Sequence, residues 1–431
     1  MRKRQPLIIG ITLAALSSFP AIAELPSHQT VVQLRPTPVE SGELIDPEFP
    51  FPRSPNFGAA VAIRNGIAFV GIPYAVPSSR VGVYNQTSSG WVRTLTLTVP
   101  DAIPDVGSVN NGFGSAITFR DGLAVIASFT FVHVFRRTNG VWTDIQKLAP
   151  PPKDDPAVFN FWEISALRYE NGILAIGSSS FFREGVVYVY ELAGTGKLVK
   201  RATLRASDGS ASFGRDVGIA GNTLVVGDSN AAHVFKRRSD GTWVKTQKLI
   251  AGDSRGGDFG AAVAIDRGMI IVGAPWQECL GGPTGLYCPG HYAPDGSGSG
   301  GAAYGFVPIA GQYTQMFRLR PRSDEHFNYW QFGRKIAMFD KHVVIDAAEQ
   351  DAVGDPVFSS FPNGLSFTYR REGSILTARG ITSGYVESNS IGLANNWLMV
   401  GAVNDPDGLC QSSAPACFGE ASIFDLNRFA E

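Results

Sequence analysis

Four cysteines have the most distinctive chemistry in this chain, and they fall into two close pairs, Cys279 with Cys288 and Cys410 with Cys417. In an oxidising compartment, cysteines spaced this closely are expected to form two local disulfides. A zinc site built from all four cysteines is the alternative to the disulfides. It is disfavoured because neither pair has the short ligand spacing of a zinc ribbon or knuckle. The sequence therefore predicts disulfides that staple loops, with no metal and no other cofactor.

Aromatic and acidic side chains concentrate in long stretches between the regular segments, where a rigid scaffold usually carries its binding residues. Aromatic rings can pack on a protein or stack on a sugar, and carboxylates can bind cations. Ten of these residues are our candidate binding residues: Tyr74, Phe181, Trp276, Tyr287, His291, Tyr292, Glu349, Asp351, Asp405 and Asp407. The alternative is that the aromatic residues pack their own loops and the acids are only solvated.

No catalytic arrangement is recognisable from spacing. No serine, histidine and aspartate, and no cysteine and histidine, are spaced so that they would meet, although residues scattered over the chain could still do so. The glycine-rich run 290–301 contains no lysine or arginine that could bind phosphate. His133 and His233 occupy equivalent repeat positions and are expected to be structural. We therefore predict a protein that is not an enzyme.

The elements that position these residues come from a repeat of about 50 residues that occurs seven times. Five copies open with a Phe-Gly pair and reach a closing residue, usually glycine, 14 positions after the phenylalanine. The pairs are Phe57-Gly58, Phe113-Gly114, Phe213-Gly214, Phe259-Gly260 and Phe332-Gly333, closed by Gly71, Ala127, Gly227, Gly273 and Asp346. Two weaker copies lack the pair and run through Leu167 to Gly177 and through Ile391 to Gly401.

Each repeat contains four short segments with the alternation and composition of β-strands. Asn65-Gly66, Asp121-Gly122 and Asn171-Gly172 are typical of tight hairpin turns. Four strands per repeat predict an all-β protein, a seven-bladed β-propeller. The seventh repeat lacks its fourth strand, and residues 28–36 fit that strand. The N-terminal strand is therefore predicted to complete the last blade and close the ring.

The candidate binding residues should all lie on one face of this propeller. Strands alternate in direction within a blade, so the connections from strand two to three and from strand four to the next blade emerge together, on what we call the long-loop face. The other connections form the short-turn face. The long-loop face receives almost all of the long stretches: 72–80, 98–112, 149–161, 178–185, 274–302, 320–331, 346–364 and 402–420.

The Phe-Gly pair and the run Val272-Gly273-Ala274-Pro275 resemble the FG-GAP repeat of integrin α-subunit propellers and their bacterial relatives. The resemblance covers about residues 28–431 and implies a propeller that acts as an interaction module. Many repeats of that family carry an Asp-x-Asp-x-Asp-Gly calcium loop between the first two strands. Here that connection has at most one carboxylate per turn, as in Asp266-Arg267-Gly268, so calcium at those positions is not expected.

The N-terminus predicts export. Arg2-Lys3-Arg4, the apolar run Leu7–Leu16 and Ala21-Ile22-Ala23 are typical of a secretory signal peptide over residues 1–23. The mature chain, residues 24–431, is expected to be one domain that is secreted or periplasmic and not inserted in a membrane. It should comprise the closing strand, a strap over residues 37–56 and the blades over residues 57–431.

These observations together predict a non-catalytic module that binds a protein or glycan ligand through the long-loop face. The formal net charge of −1 gives no sign of nucleic-acid binding. Two alternatives remain open. One is a carbohydrate-binding propeller lectin, and the other is a hydrolase with carboxylates near the mouth of the central channel.

Overall fold

The computed structural model describes residues 30–34, 56–75, 78–99, 111–129, 131–149, 164–180, 183–210, 212–253, 257–276, 301–320, 327–351, 363–383, 388–402 and 419–428. The regular structure within these ranges is entirely β and forms seven antiparallel sheets. The predicted all-β, seven-bladed β-propeller is therefore confirmed. The predicted signal peptide, and the predicted strap up to residue 55, lie outside the described residues.

The first described strand is β1 (Thr30–Leu34), and blades one to three follow it in order. Blade one contains β2 (Val61–Arg64), β3 (Ile67–Ile72), β4 (Arg80–Thr87) and β5 (Gly90–Leu97). Blade two contains β6 (Ala116–Arg120), β7 (Leu123–Ala127), β8 (Val132–Thr138) and β9 (Val141–Leu148). Blade three contains β10 (Ile164–Glu170), β11 (Ile173–Ser180), β12 (Arg183–Leu192) and β13 (Leu198–Arg205).

Blades four and five have the same plan, and blades six and seven vary it. Blade four contains β14 (Val217–Ala220), β15 (Thr223–Gly227), β16 (Ala232–Arg237) and β17 (Trp243–Leu249). Blade five contains β18 (Ala262–Asp266), β19 (Met269–Ala274), β20 (Ala302–Ile309) and β21 (Gln312–Leu319). Blade six contains β22 (Phe327–Trp330), β23 (Ile336–Phe339), β24 (His342–Asp351), β25 (Asn363–Glu372) and β26 (Ile375–Ser383). Blade seven contains β27 (Ser388–Ala394), β28 (Trp397–Ala402), β29 (Glu420–Asp425) and β1.

The N-terminal strand closes the ring, as the sequence predicts. β1 pairs antiparallel with β29, so that Leu34 lies opposite Ala421. Leu34 is buried in an apolar cluster that also contains Phe57 and Val61 of blade one. Gln33 Nε2 donates a hydrogen bond of 2.8 Å to Glu420 Oε2. Closure therefore completes the last sheet and also fills the interface between blades seven and one.

Blade six shows that two of the predicted long loops are partly strand. β22, within the stretch 320–331, pairs with the extended end of β24, with Phe327 opposite Asp351. Glu349 and Asp351, expected in a loop, therefore belong to a strand. Blade three differs in the same way at 178–185, where Ser180 of β11 pairs with Arg183 of β12. In both places the ladder satisfies backbone groups that a loop would leave to solvent.

Adjacent blades meet at paired glycines, which explains the repeat motif. A Cβ at Gly71, the closing glycine of blade one, would lie 2.0 Å from the carbonyl oxygen of Gly114 in blade two. Since backbone cannot move aside, only glycine fits. The same contact joins four further pairs, Gly177 with Gly214, Gly227 with Gly260, Gly273 with Gly333 and Gly401 with Gly58.

The two exceptions to this rule follow from the same contact. Ala127 and Asp346 occupy the closing position of blades two and six, and the blades that follow them, three and seven, are the ones without a Phe-Gly pair. A side chain is therefore accommodated where the facing glycine is missing.

The hydrophobic core lies between blades. Phe69 of blade one packs against Phe119 and Trp142 of blade two, with ring centroids 4.9 and 5.2 Å apart. The phenylalanines of the five Phe-Gly pairs are all buried. Within the described ranges, the structure contains no helix with the length and hydropathy of a membrane span.

Candidate functional site

The first strands of the seven blades surround a central channel. Its end on the long-loop face is a cavity of about 480 Å³ lined by residues of every blade. The end on the short-turn face is smaller, about 140 Å³. Cavities of several hundred Å³ are the usual size for small-molecule sites, so the wider end is the stronger candidate. We call it the long-loop mouth, and its charged lining residues are Arg168, Arg215, Asp216, Arg334 and Lys335.

Four of these charged residues occupy a position where most blades have small residues. In blades one, two, three and five, the two residues before the first apolar strand position are alanine or serine, namely Ala59-Ala60, Ser115-Ala116, Ser165-Ala166 and Ala261-Ala262. Blade four has Arg215-Asp216 there, and blade six has Arg334-Lys335. The fold therefore does not require charge at this position, and two blades have introduced it.

Arg215 and Asp216 join blade four to blade five. Arg215 Nη1 donates to both carboxylate oxygens of Asp258, at 2.6 and 2.5 Å. Asp216 accepts backbone N–H groups on both oxygens, from Val217 at 2.8 Å and from Val263 at 2.8 Å. Both side chains are thus held by contacts between blades, which makes them structural members of the mouth.

Lys335 has a different environment. Its side chain is exposed to the channel, while the surrounding ring shields it partly from bulk solvent. This desolvation lowers the pKa of Lys335; Asp216 and Asp346 oppose the shift, while Arg334 and Arg168 add to it. Asp346 is fully buried and accepts a hydrogen bond of 2.5 Å from Ser366 Oγ. Within the part of the chain that the structure describes, the Lys335 ammonium makes no hydrogen bond or ion pair; only the backbone carbonyl of Lys335 is engaged, by the Asp346 N–H at 3.0 Å.

The short-turn end of the channel carries partly buried carboxylates beside arginines. Burial raises the pKa of Glu170, against the effect of Arg120, whose Nη1 lies 3.2 Å from Glu170 Oε2. Burial also raises the pKa of the neighbouring Asp266. Asp266 Oδ2 is buried and accepts no hydrogen bond from the described residues. Arg64 lies over the Phe339 ring, 4.9 Å from its centroid.

A histidine and two aspartates meet on blade four with the chemistry of metal ligands. One ligating atom of each of Asp208, Asp228 and His233 lies within 4.8 Å of the others. The same atoms already have protein partners, because Lys248 Nζ lies 2.6 Å from Asp208 and His233 Nε2 lies 3.2 Å from Asp228. Ser210 also donates to Asp228. These contacts join the three side chains in a hydrogen-bonded network that does not require an ion, although His233 Nδ1 is buried with no hydrogen-bond partner among the described residues.

The repeated histidines have the structural role that was predicted. His133 packs edge-on against Phe113 of its own blade, with ring centroids 5.6 Å apart, and His233 packs against Phe213 at 5.4 Å. Both rings are buried. Tyr304 has the same relation to Phe259 in blade five, at 5.4 Å, so the position supports the Phe-Gly phenylalanine.

Two of the candidate binding residues, Tyr74 and Trp276, have side chains that are exposed to solvent. Tyr74 is 37% exposed and Trp276 is 40% exposed. Each follows a Gly-x-Pro sequence at the end of the second strand of its blade, so they occupy equivalent positions on the long-loop face. The Tyr74 ring also lies 5.9 Å from the Phe129 ring of blade two.

Of the other eight candidate binding residues, two lie within the described ranges and six do not. Glu349 and Asp351 lie on β24 at the long-loop end of blade six. Outside the described residues lie Phe181, Tyr287, His291, Tyr292, Asp405 and Asp407, together with the cysteines Cys279, Cys288, Cys410 and Cys417. The predicted disulfides and the aromatic and acidic surface of these loops therefore stay predictions.

Sequence reasoning missed the charged residues of the long-loop mouth. The signal was present, because Arg215-Asp216 and Arg334-Lys335 interrupt an alanine position of the repeat. These residues lie at the starts of the short, regular first strands and not in the long loops. Only the ring geometry shows that the starts of seven first strands converge on one cavity.

Comparison with known proteins agrees with this architecture. The FG-GAP repeat family matches residues 243–285, which include β17 and the Phe259-Gly260 pair. No curated protein sequence matches the chain.

Several solved structures resemble the fold. The WD40 repeats of RRP9 align over 93% of this chain and 99% of that chain, with a TM-score of 0.52 and 10% identity. Sqt1 of Saccharomyces cerevisiae aligns over 93% and 99%, with a TM-score of 0.48 and 8% identity. A candidate 6-phosphogluconolactonase of Bacteroides uniformis aligns over 77% and 86%, with a TM-score of 0.48 and 10% identity. The first of these likenesses shows a shared propeller fold and nothing about activity.

Proposed function

We propose that this chain, an FG-GAP-like seven-bladed β-propeller, is an exported, non-catalytic module that binds a protein partner through its long-loop face. The observation that carries the proposal is the one-sided distribution of features. The exposed rings of Tyr74 and Trp276 and the wider, charged mouth of the channel are on the same face. Rigid aromatic anchors beside a concave centre are what protein interfaces commonly use.

The opposite face supports the proposal by contrast. Its hairpins are tight, as at Asn65-Gly66 and Asp121-Gly122, where both residues of each turn have positive φ. Such turns match the twist of the strands that they join and leave no room for an inserted loop. The described residues thus present a regular short-turn face and a varied long-loop face.

Capture experiments with matched variants test the proposal. The mature protein is immobilised and exposed to extract or secreted material from its source, and bound proteins are identified. Trp276→Ala and Tyr74→Ala should each weaken capture at least about fivefold, in the range of an interface anchor. Ile375→Ala is the control, because Ile375 is a large apolar residue, 67% exposed, at the short-turn end of blade six. Loss of capture in the control, with Trp276→Ala unaffected, would place binding on the other face.

A lectin function is the second candidate, and one observation favours it. Tyr74 and Trp276 are exposed aromatic residues at equivalent positions of blades one and five, and repeated aromatic platforms are what a propeller lectin needs to stack on sugars. A glycan array separates the two functions. A lectin would bind defined glycans directly, and capture of its partners would be lost after deglycosylation.

A hydrolase remains the third candidate because of the short-turn end of the channel. Glu170 and Asp266 both have raised pKa values there, as a general acid requires. Activity toward chromogenic glycosides or phosphoesters that disappears in Glu170→Gln and Asp266→Asn would support this function and contradict the non-catalytic proposal.

A further inference from the structure

The side chains of two cations in the long-loop mouth have no hydrogen-bond or ion-pair partner among the described residues. Arg168 of blade three and Lys335 of blade six line the same cavity. Neither the guanidinium of Arg168 nor the ammonium of Lys335 makes a hydrogen bond or an ion pair with any residue that the structure describes. Arg334 adds a third positive charge to the same lining. Cations held close together in a confined cavity repel each other, and an anion between them would remove that cost.

The nearby acids do not compensate these charges fully, because their oxygens are engaged elsewhere. Asp216 accepts the backbone N–H groups of Val217 and Val263 at 2.8 Å each. Asp346 accepts the Ser366 hydroxyl in a buried position. Asp258 takes both of its hydrogen bonds from Arg215. Arg168 and Lys335 therefore line a cavity large enough for a small ligand, with side-chain donors that no described residue uses.

We propose that the long-loop mouth binds an oxyanion group, carboxylate, phosphate or sulfate, through Lys335 and Arg168. Guanidinium groups match the geometry of two oxyanion oxygens, and an ammonium adds a compact charge with three donors. A partly desolvated cavity strengthens such contacts relative to the surface. The inference rests on the proposed function only in using the same face. The oxyanion belongs either to a free small molecule or to an acidic group of the bound partner.

The repeat supplies substitutions that should leave the fold intact. Lys335 stands where blades one, two, three and five have Ala60, Ala116, Ala166 and Ala262. Arg168 stands where blades one and five have Ala62 and Ala264. Lys335→Ala and Arg168→Ala therefore restore residues that neighbouring blades already accommodate.

Calorimetric titration of the full mature protein with sodium sulfate, inorganic phosphate and succinate at low ionic strength tests the proposal. Saturable binding at one site per chain is expected for at least one of the three. Lys335→Ala and Arg168→Ala should each weaken it about tenfold or more, the effect of losing a charge-assisted hydrogen bond. The control is Lys341→Met, which removes a lysine from blade six at its short-turn end and should leave binding unchanged.

The dependence on pH adds a readout that a purely structural lysine would not give. Sulfate keeps its charge across the neutral and alkaline range, so weakening of its binding reports on the protein. Because desolvation lowers the pKa of Lys335, sulfate affinity should fall as pH rises toward that value, and Lys335→Arg should abolish the fall. Absence of saturable binding by all three anions, or equal binding by wild type and both alanine variants, would overturn the proposal.

A competition experiment identifies the source of the oxyanion. If succinate or sulfate displaces a partner captured by the mature protein, the partner supplies the group. If capture persists under saturating anion, the ligand is a free small molecule. Failure of the anion titration with capture still dependent on Trp276 would remove this inference and leave the proposed function standing.

Discussion

At the scale of single residues, the closing glycines determine how tightly blades can meet. A methyl group at Gly71 would lie 2.0 Å from the Gly114 carbonyl oxygen, which is backbone and cannot rotate away. Gly71→Ala should therefore lower the free energy of unfolding by about 2 kcal/mol, a typical effect of overpacking. Urea denaturation measures it as a lower midpoint with an unchanged slope.

Ala127 provides the matched control for this prediction. It occupies the same repeat position in blade two, where no Phe-Gly glycine follows, so the site already holds a methyl group. Ala127→Gly should cost only about 0.5–1 kcal/mol, from the greater flexibility of the unfolded chain. Equal effects of the two substitutions would contradict the glycine contact as the reason for the motif.

A second residue-scale prediction concerns acid stability. Burial alone would raise the pKa of Asp228, but hydrogen bonds from His233, Ser210 and the Ser229 backbone outweigh it and lower the pKa overall. The carboxylate therefore contributes stability above the unfolded pKa of about 4, and this contribution is lost as pH falls through the lower folded pKa. Asp228→Asn should destabilise the protein by about 1–3 kcal/mol at neutral pH.

Urea midpoints across pH distinguish this electrostatic effect from a simple packing defect. The difference between wild type and Asp228→Asn should shrink as pH falls below about 4, because the wild-type carboxylate then takes up a proton. A difference that stays constant from neutral to acidic pH would show that ionisation of Asp228 is not the cause.

At the scale of elements, the closing strand connects the two ends of the chain. Leu34 is 6% exposed and packs with Phe57 and Val61, so Leu34→Ala should cost about 2–4 kcal/mol. Gln33→Ala, one residue away on the same strand, removes the hydrogen bond to Glu420 and should cost about 1 kcal/mol. Thermal unfolding of both variants, and of a chain lacking residues 24–36, measures the contribution.

The truncated chain should unfold at lower temperature and less cooperatively than either point variant. Without β1, the backbone of β29 loses its hydrogen-bonded neighbour and becomes an exposed edge that can aggregate. If the truncated chain melted like the full mature protein, the closure seen in the sheet pairing would not matter to stability.

The propeller fold could be predicted from the sequence, whereas the charged long-loop mouth could not, and the reason is physical. Strands and two-residue hairpins depend on local residues, such as Asn65-Gly66, and seven copies of one pattern reinforce each other. The closing strand could also be predicted, because the seventh repeat lacks its fourth strand and the N-terminal segment fits that strand. The sequence did not predict β22 or the extended end of β24. These two segments pair with each other, but no two-residue turn joins them that a local pattern could reveal. Arg168 and Lys335 meet only through ring closure, at a sequence separation that no local pattern reports.

At the scale of the whole molecule, the absence of calcium loops predicts insensitivity to the ion. The described connections between first and second strands are tight hairpins with at most one carboxylate in the turn, as at Asp121-Gly122 and Arg267-Gly268. Calcium requires roughly six to eight oxygen ligands. Thermal melts in chelator and in excess calcium should superimpose. An increase of several degrees with calcium would indicate a native-state site, with Asp405 and Asp407 as the first residues to substitute.

The last prediction separates binding from folding across the whole long-loop face. If Cys279 pairs with Cys288 and Cys410 with Cys417, each bridge closes a short loop, with a contribution to stability on the order of 2 kcal/mol. This contribution is small for a ring that is held together by buried interfaces between neighbouring blades. The larger effect would be to hold the loop that follows Trp276 in one arrangement, which lowers the ordering cost of association.

A Cys279→Ser/Cys410→Ser variant should therefore lose partner capture while keeping its β-sheet circular dichroism spectrum and nearly its melting temperature. Wild-type protein treated with a thiol reductant should behave in the same way, and Ile375→Ala should remain normal in both assays. Binding is expected to fail first because capture depends on loop order, whereas the fold depends on the core between blades. Full capture by the double serine variant, or collapse of the spectrum together with binding, would show that the bridges do not act through the ordering of this face.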